Sequence, residues 1–465
     1  MKNMVCLLGV ITLLTSSSVR ADDKTPGLYR ERYRPQYHFT ADKGWINDPN
    51  GLVYVNGVYH LFFQHERPGT RWGHATSMDL LHWTQHPDAI VPQNGYQVFS
   101  GSGVVDENNT SGFQTGDSPP VVAIFTSWGE GQCLAYSNDS GMTWKRYEKN
   151  PVLTLPGDEL KSFPLSARDP HVSWDKTHRR WVMALYSNPD QREDKTGSGF
   201  SLFTSPDLKT WTYRSHLTGF YVCPDIFKLP IEGEAGSEAW VAMDWEQYAT
   251  GEFDGTTFTP MSDIRKLDFG KNLSANQSWK NLPGKRVVQI CWLRGGDYPG
   301  MPFDQQMSFP TELTLRRITG ELRLCKNPIR EIETLHLEQR SVSDRTLARG
   351  EEIRFDLPVE SYDLSMDLEL ADDSSVMVTI LGKKLRLKRD RIVALSTTGE
   401  LAEPLSHVRI LADVTSIELF ANQGEISMSY CVVPPDKPEN VTIKATGNPV
   451  SIQSAVLHEV GPVMK

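Results

Sequence analysis

The apolar residues of this chain fall in short runs rather than at helical spacing. "VYHLFFQH" (58–65), "VVAIFTSW" (121–128), "RWVMALYS" (180–187), "EAWVAMDW" (238–245), "VRILADV" (408–414) and "SIELFA" (416–421) are representative. β-Branched and aromatic residues dominate them, and Gly, Pro, Asn, Asp and Ser lie between them. Runs this short, bounded by turn formers, specify strands. An all-β protein is expected.

A repeat organises the strands. "MDLLHWTQHP" (78–87), "NDSGMTWKRY" (138–147) and "SPDLKTWTYR" (205–214) share an Asp, a Trp four or five residues on, and then a polar strand. "FDGTTFTP" (253–260) is a degenerate copy with Phe258 in the Trp place. A unit of about sixty residues holding about four short strands has the size of a propeller blade. About five such units fit, so residues 35–328 are expected to form a five-bladed β-propeller. The repeat then stops. Residues 329–349, with Ile329, Ile332, Leu335 and Leu337, are expected to be a helical or extended linker. From 350 to 463 alternating strands return, as in "YDLSMDLEL", "VMVTILG" and "ISMSYCVV". About a hundred residues of this kind suggest a C-terminal β-sandwich.

Charge and composition narrow the partners. The 465-residue chain carries a net charge of −10 and no basic block. Nucleic acid and anionic membrane surfaces are therefore not expected partners, and a neutral ligand fits best. Nothing in the sequence speaks to oligomeric state. Lys2, the apolar core "MVCLLGVITLL" and "SSSVRA" form an apparent signal peptide, residues 1–21, ending at Ala21. The core is too short to span a bilayer, so the mature protein is expected to be secreted or periplasmic. Cys6 leaves with the signal. Cys133, Cys223, Cys291, Cys325 and Cys431 remain, an odd number with no close spacing. That is neither a disulfide framework nor a zinc site, and buried thiols are expected.

The candidate chemistry starts at "GWINDPNG" (44–51). Asn-Asp-Pro-Asn-Gly is turn chemistry. Trp45 beside Asn47 and Asp48 also fits a sugar platform next to a carboxylate, but one carboxylate is half of a glycosidase. A propeller binds its ligand on the axis, so partners should recur at blade spacing. "FSGSGVVD" (99–106), "ARDPHVSWD" (167–175), "YVCPDIF" (221–227) and "QICWLRGGDYPGMPFDQQMSFP" (289–310) fall in that register. Arg168–Asp169 alone could be a turn with a local ion pair; in register with Asp48 it reads as part of a site. Trp72 fits either a core or a sugar-facing rim. His74 and His171 read as hydrogen-bonded structural residues. There is no metal motif, phosphate-cradling loop or nucleophile elbow, and no metal or cofactor is expected.

Together these segments resemble glycoside hydrolase family 32, the invertase, inulinase and levanase group. The resemblance runs from about residue 35 to the C-terminus. It covers "HFTADKGWINDPNGLVY", "YHLFFQH", "WGHATSMDLLHW", "FSGSGVVD", "RDPHV", "CPDIF", "GEFDG", "YPGMPFDQQMSFPTELTLR" and "VRILADVTSIELFANQGE". It implies a five-bladed propeller with a β-sandwich, and hydrolysis of β-fructofuranosidic bonds in fructans or sucrose with retention. It further implies that Asp48 is the nucleophile and that Asp169, with Arg168, holds fructosyl hydroxyls and stabilises the transition state. Asn47, Gln64, Trp72, Phe99, Ser100 and Trp292 correspond to sugar-contacting positions.

One position departs from the family pattern. The general acid is the Glu of a Glu-Cys-Pro motif, and here Val222 stands in its place, with Cys223, Pro224 and Asp225 intact. Valine cannot donate a proton. Asp225 and Glu246 are the candidate substitutes. Two readings follow: a fructan hydrolase with an impaired or relocated acid, and a silent fructan-binding protein that keeps the pocket.

Overall fold

The computed structural model describes residues 29–66, 71–155, 167–189, 197–280, 282–356 and 360–463. The expected signal peptide lies outside the described residues. Five sheets follow one another along the first part of the described chain, and two six-stranded sheets make up the rest. This is the expected five-bladed propeller followed by a sandwich.

Each blade is led by its innermost strand. These are Gly44–Val55, Val98–Val105, Ala167–Asp175, Asp225–Pro230 and Leu273–Trp279. The innermost strands of blades 1 and 2, 2 and 3, 4 and 5, and 5 and 1 touch. Closure is reinforced where Phe303–Asp304 pairs parallel with Gly44–Trp45. The apolar runs are buried on both faces because a separate core fills each gap between blades. Phe62, Trp72, Val98 and Phe125 fill the gap between blades 1 and 2, and Leu202, Ile226, Ala242 and Phe258 that between 3 and 4.

The Asp–Trp repeat has a structural cause. Asp79, Asp139, Asp207 and Asp254 each sit in the turn from the third to the fourth strand of blades 1 to 4. Each carboxylate accepts backbone N–H groups within that turn, for example from Leu81 and His82 onto Asp79 and from Lys209 and Thr210 onto Asp207. The Asp replaces backbone partners that the tight turn cannot supply.

Two expectations are corrected. The fifth axis segment was expected in 289–310. The innermost strand is instead "LSANQSW" (273–279), and Val288–Leu293, which carries Trp292, is the second strand of that blade. Leu273–Trp279 is buried throughout although half its residues are polar, so it lacks the apolar signature of a strand. The stretch 329–349 is not free linker. Arg330–Leu335 forms a 3-10 turn, and His336–Leu347 is an edge strand of the sandwich paired with Val450–Val460.

The sandwich does more than follow the propeller. Ser416–Ala421 is buried on both faces, whereas Ser375–Ile380 alternates. The difference arises because Leu411, Phe420 and Val460 also join a core containing Phe39, Ile46 and Phe63. At the same seam His38 is fully buried between two sandwich carboxylates, Nδ1 at 2.9 Å from Asp413 and Nε2 at 2.7 Å from Glu418. Asp413 also accepts N–H groups of Gln36, Tyr37 and His38. Burial alone would drive the imidazole neutral, but the two carboxylates outweigh it and push its pKa up to about 9. Because that value exceeds the unfolded one, this stabilisation is complete below about pH 6.5 and is lost as pH rises towards 9. Substituting His38→Gln should cost about 3–5 kcal/mol at pH 7, as expected for breaking a buried charge pair. Urea unfolding should also show wild-type stability falling between pH 6.5 and 9.5 more steeply than that of the variant.

Candidate active site

The octet that opened the chemical question is strand, not turn. Residues 44–51 lie within Gly44–Val55, with register shifts between Ile46 and Pro49 and between Asn50 and Val53. Pro49 has no N–H to donate to a ladder, and the irregularity falls around it. Gly51 has φ 57°, and a Cβ there would meet the rings of Trp72 and Phe62 at 2.8 and 2.9 Å, so no other residue fits. The bulged strand leaves Asp48 half-buried at the axis, close to blade 2. Ser100 donates Oγ–H to Asp48 Oδ2 at 2.6 Å, and Asn47 Nδ2 donates to Oδ1 at 3.0 Å. Trp45 Nε1 holds Asn47 in turn, at 3.0 Å. Asn50 ties the strand to the next blade by donating to the Asp48 carbonyl and accepting from Gly101 N–H.

Asp169 stands opposite. It is 6% exposed and adopts φ 61°. That left-handed conformation is uncommon outside Gly, and Asp and Asn tolerate it best. Its N–H is taken by Thr126 Oγ1 at 3.0 Å. The Cys223 thiol joins the two acids, with Sγ 3.9 Å from both Asp48 Oδ2 and Asp169 Oδ2. Cys223 also has positive φ, 58°. Such strain costs on the order of 1–3 kcal/mol and persists only where the surroundings impose it. Arg168 supplies the positive charge, with Nε 3.5 Å from Asp169 Oδ2. Its guanidinium lies over the rings of Tyr186 and Tyr221, and it donates to Tyr221 Oη at 3.4 Å.

Burial dominates the electrostatics of Asp169. Arg168 pulls its pKa down and the neighbouring Asp48 raises it, and the balance leaves it pushed up to about 7. Burial and the same two acids also push the Cys223 thiol well above its ordinary value, so the bridge is a thiol and not a thiolate.

The remaining expected residues separate into two sets. Gln64 is 2% exposed, and its Nε2 has no acceptor among the described residues. Phe99 is half-buried and packs edge-on against Trp128 at 5.2 Å. Trp292 packs edge-on against Trp45 at 5.9 Å, with Nε1 on Gln305. Trp72 differs: it is fully buried, and its Nε1 donates to the Phe99 carbonyl at 3.0 Å. It supports Phe99 and Ser100 from behind, the core alternative of the two open from sequence.

Val222 is 3% exposed, in an apolar cluster with Tyr186, Cys223 and Ala275, flanked by Tyr221, Trp245 and Trp292. Neither candidate substitute is placed as a buried, unspent acid. Asp225 is fully buried and committed to Ser278, at 2.8 Å, and Lys280, at 2.9 Å. Glu246 is exposed on the turn after Glu238–Met243. Sequence reasoning passed over Tyr186, Tyr221 and Trp245. Tyr221 adjoins the "VCPD" segment and could have been found there; the other two lie in ordinary strand and turn context. No group of three or more His, Cys, Asp or Glu among the described residues could hold a metal ion.

The sequence and fold of this chain have known counterparts. Residues 38–328 match the glycosyl hydrolases family 32 N-terminal domain, and residues 387–459 match its C-terminal domain. The levanase of Bacillus subtilis is 31% identical over 99% of this chain and 75% of its own. The extracellular exo-inulinase of Aspergillus niger is 31% identical over 93% and 95%. Among solved structures, the exo-inulinase of Aspergillus awamori superposes with a TM-score of 0.81 at 26% identity, covering 94% of this chain and 99% of that one. The fructofuranosidase of Schwanniomyces occidentalis in complex with fructose gives 0.80 at 25%, covering 93% and 99%. The chain belongs to glycoside hydrolase family 32.

The raised pKa of Asp169 has a stability signature. The folded value lies above the ordinary 3.8, so the native state holds the proton more tightly and loses stability as pH rises from about 4 to 7. The loss is on the order of 4 kcal/mol at most. Asp169→Asn should flatten that slope, and urea unfolding between pH 4 and 8 measures it. Parallel slopes in variant and wild type would contradict it.

Proposed function

We propose that this chain is a secreted, retaining hydrolase of β-fructofuranosidic bonds in fructans or sucrose-type sugars, with Asp48 as nucleophile and no acid at the usual place of the proton donor. The observation that carries the reading is the Asp48 carboxylate, oriented by Ser100 and Asn47 and set beside Asp169 across the Cys223 thiol. A carboxylate fixed at both oxygens is preorganised for attack on an anomeric carbon. Asp169 and Arg168 then hold fructosyl hydroxyls and offset positive charge on the oxocarbenium-like transition state. The unspent Gln64 Nε2 suits a sugar hydroxyl. The names of the relatives, levanase, exo-inulinase and invertase, support the substrate class.

The weak point is departure of the aglycone. General acid catalysis contributes about 10²–10⁴-fold, or about 3–5.5 kcal/mol of barrier. Val222 contributes none. That one residue also favours a second reading, a fructan-binding protein that keeps the sugar pocket without turnover.

Fructose release from levan, inulin and sucrose separates the two. Val222→Glu should exceed wild type by about 10²–10⁴-fold, and Glu246→Gln should leave the slow wild-type rate in place. Equal rates for wild type and Val222→Glu, or loss of turnover in Glu246→Gln, would mean that the proton comes from elsewhere. Undiminished fructan affinity with no turnover even of an activated fructosyl substrate establishes the binding protein.

A further inference from the structure

Val222 also bears on which leaving group the pocket suits. In a retaining mechanism the residue at that position faces the departing oxygen, so its neighbours line the aglycone side. Trp245 donates its N–H to the Val222 carbonyl at 3.1 Å, and its indole packs in the same cluster. Trp292 belongs to that cluster too and reaches across to Trp45, which holds Asn47 on the nucleophile side. Arg294 lies over both indoles, its guanidinium carbon 5.4 Å from the Trp245 ring and 5.9 Å from the Trp292 ring. A cation therefore stands on the rim between the wall bearing Asp48 and the wall bearing Val222.

The backbone that carries this cation is held in place. Arg294 N–H donates to the Asn272 carbonyl and Asn272 Nδ2 donates to the Arg294 carbonyl, both at 2.6 Å. Gln305 Oε1 accepts from Trp292 Nε1 and from Gly295 N–H on either side. The Arg294 side chain is exposed, and no carboxylate pairs with it among the described residues. Of the acids nearest in sequence to this rim, Glu246 and Asp297 are exposed, and Asp244 is buried and accepts the backbone N–H groups of Tyr221, Glu246 and Gln247.

We infer that the aglycone suited to this site is joined to the fructosyl unit through an acidic oxygen, a phosphate or a carboxylate, and departs as an anion bound by Arg294. The inference rests on the reading of Asp48 as a nucleophile. Asp48 forms a bond to the anomeric carbon. The bond from that carbon to the acidic oxygen breaks, and its electron pair stays on the leaving anion, where it is delocalised without a proton. Water then attacks the same carbon, the bond to Asp48 breaks with its pair returning to the carboxylate, and the water proton passes to the released anion. Neither half-reaction calls on residue 222.

Three probes test this: sucrose, β-D-fructofuranosyl fluoride, whose leaving group is too small to reach the rim, and fructofuranosyl conjugates of phosphate and of benzoate. Wild type should cleave the fluoride and at least one anionic conjugate far faster than sucrose, and which conjugate is preferred tells phosphate from carboxylate. In Arg294→Gln the ratio of kcat/KM for the anionic conjugate to that for the fluoride should fall about 10- to 100-fold, the scale of one charge-assisted hydrogen bond. Arg294→Lys should keep most of the ratio. Turnover of the fluoride with neither anionic conjugate cleaved faster than sucrose, or an unchanged ratio in Arg294→Gln, overturns this inference alone. No turnover of the fluoride overturns the nucleophile reading and the inference with it.

Discussion

The axis of this protein is organised by crowded negative charge. Two carboxylates from different blades approach one thiol to 3.9 Å each, and a single guanidinium answers them. Burial first, and the nearby Asp48 charge second, disfavour a second ionised carboxylate here and raise the pKa of Asp169 against the pull of Arg168. Most neighbouring features limit that crowding. Ser100 and Asn47 hold the Asp48 oxygens, Arg168 is pinned by two tyrosines, and the backbone is turned to positive φ at Asp169 and Cys223. Such an arrangement needs a rigid frame, and the separate apolar cores between blades provide one.

The sandwich bears on the same constraint. His38 precedes Asp48 by ten residues and is locked between Asp413 and Glu418 of the second domain. The strand that carries Asp48 thus begins from an anchor outside the propeller. A second polar seam, in which Asp268 is bound by Lys326, Ser427 and Ser429, ties the fourth and fifth blades to the same sheet. The sandwich works here as a clamp on strand position.

Much of this was legible in sequence because its signals are local. The Asp–Trp repeat marks one turn in each of four blades, where a single Asp accepts backbone N–H groups two and three residues on in blades 1, 3 and 4 and that of Thr143 in blade 2. Asp48 and Asp169 could be paired because blade spacing brings them to one axis. What escaped detection depends on long-range packing. "LSANQSW" is an inner strand although it is polar, because the axis buries it whatever its composition. "NDPNG" reads as a turn, yet neighbouring strands hold it extended with bulges. Trp72 looks the same in a core or on a rim until its indole is seen bonded to the Phe99 carbonyl. Tyr186, in the strand Arg180–Ser187, and Trp245, in the turn after Glu238–Met243, join the site only through packing against Val222 and Cys223.

The result is an asymmetric site, with the well-held Asp48 carboxylate on one side and the apolar wall of Val222 on the other. Under the proposed retaining reaction neither half has its acid or base, so the covalent intermediate should outlive its formation when the leaving group is good. Intact-protein mass spectrometry of wild type quenched after mixing with β-D-fructofuranosyl fluoride tests this directly. The account predicts accumulation of one fructosyl unit per chain, located by peptide mapping to Asp48. Absence of any adduct, or an adduct on another residue, would contradict it.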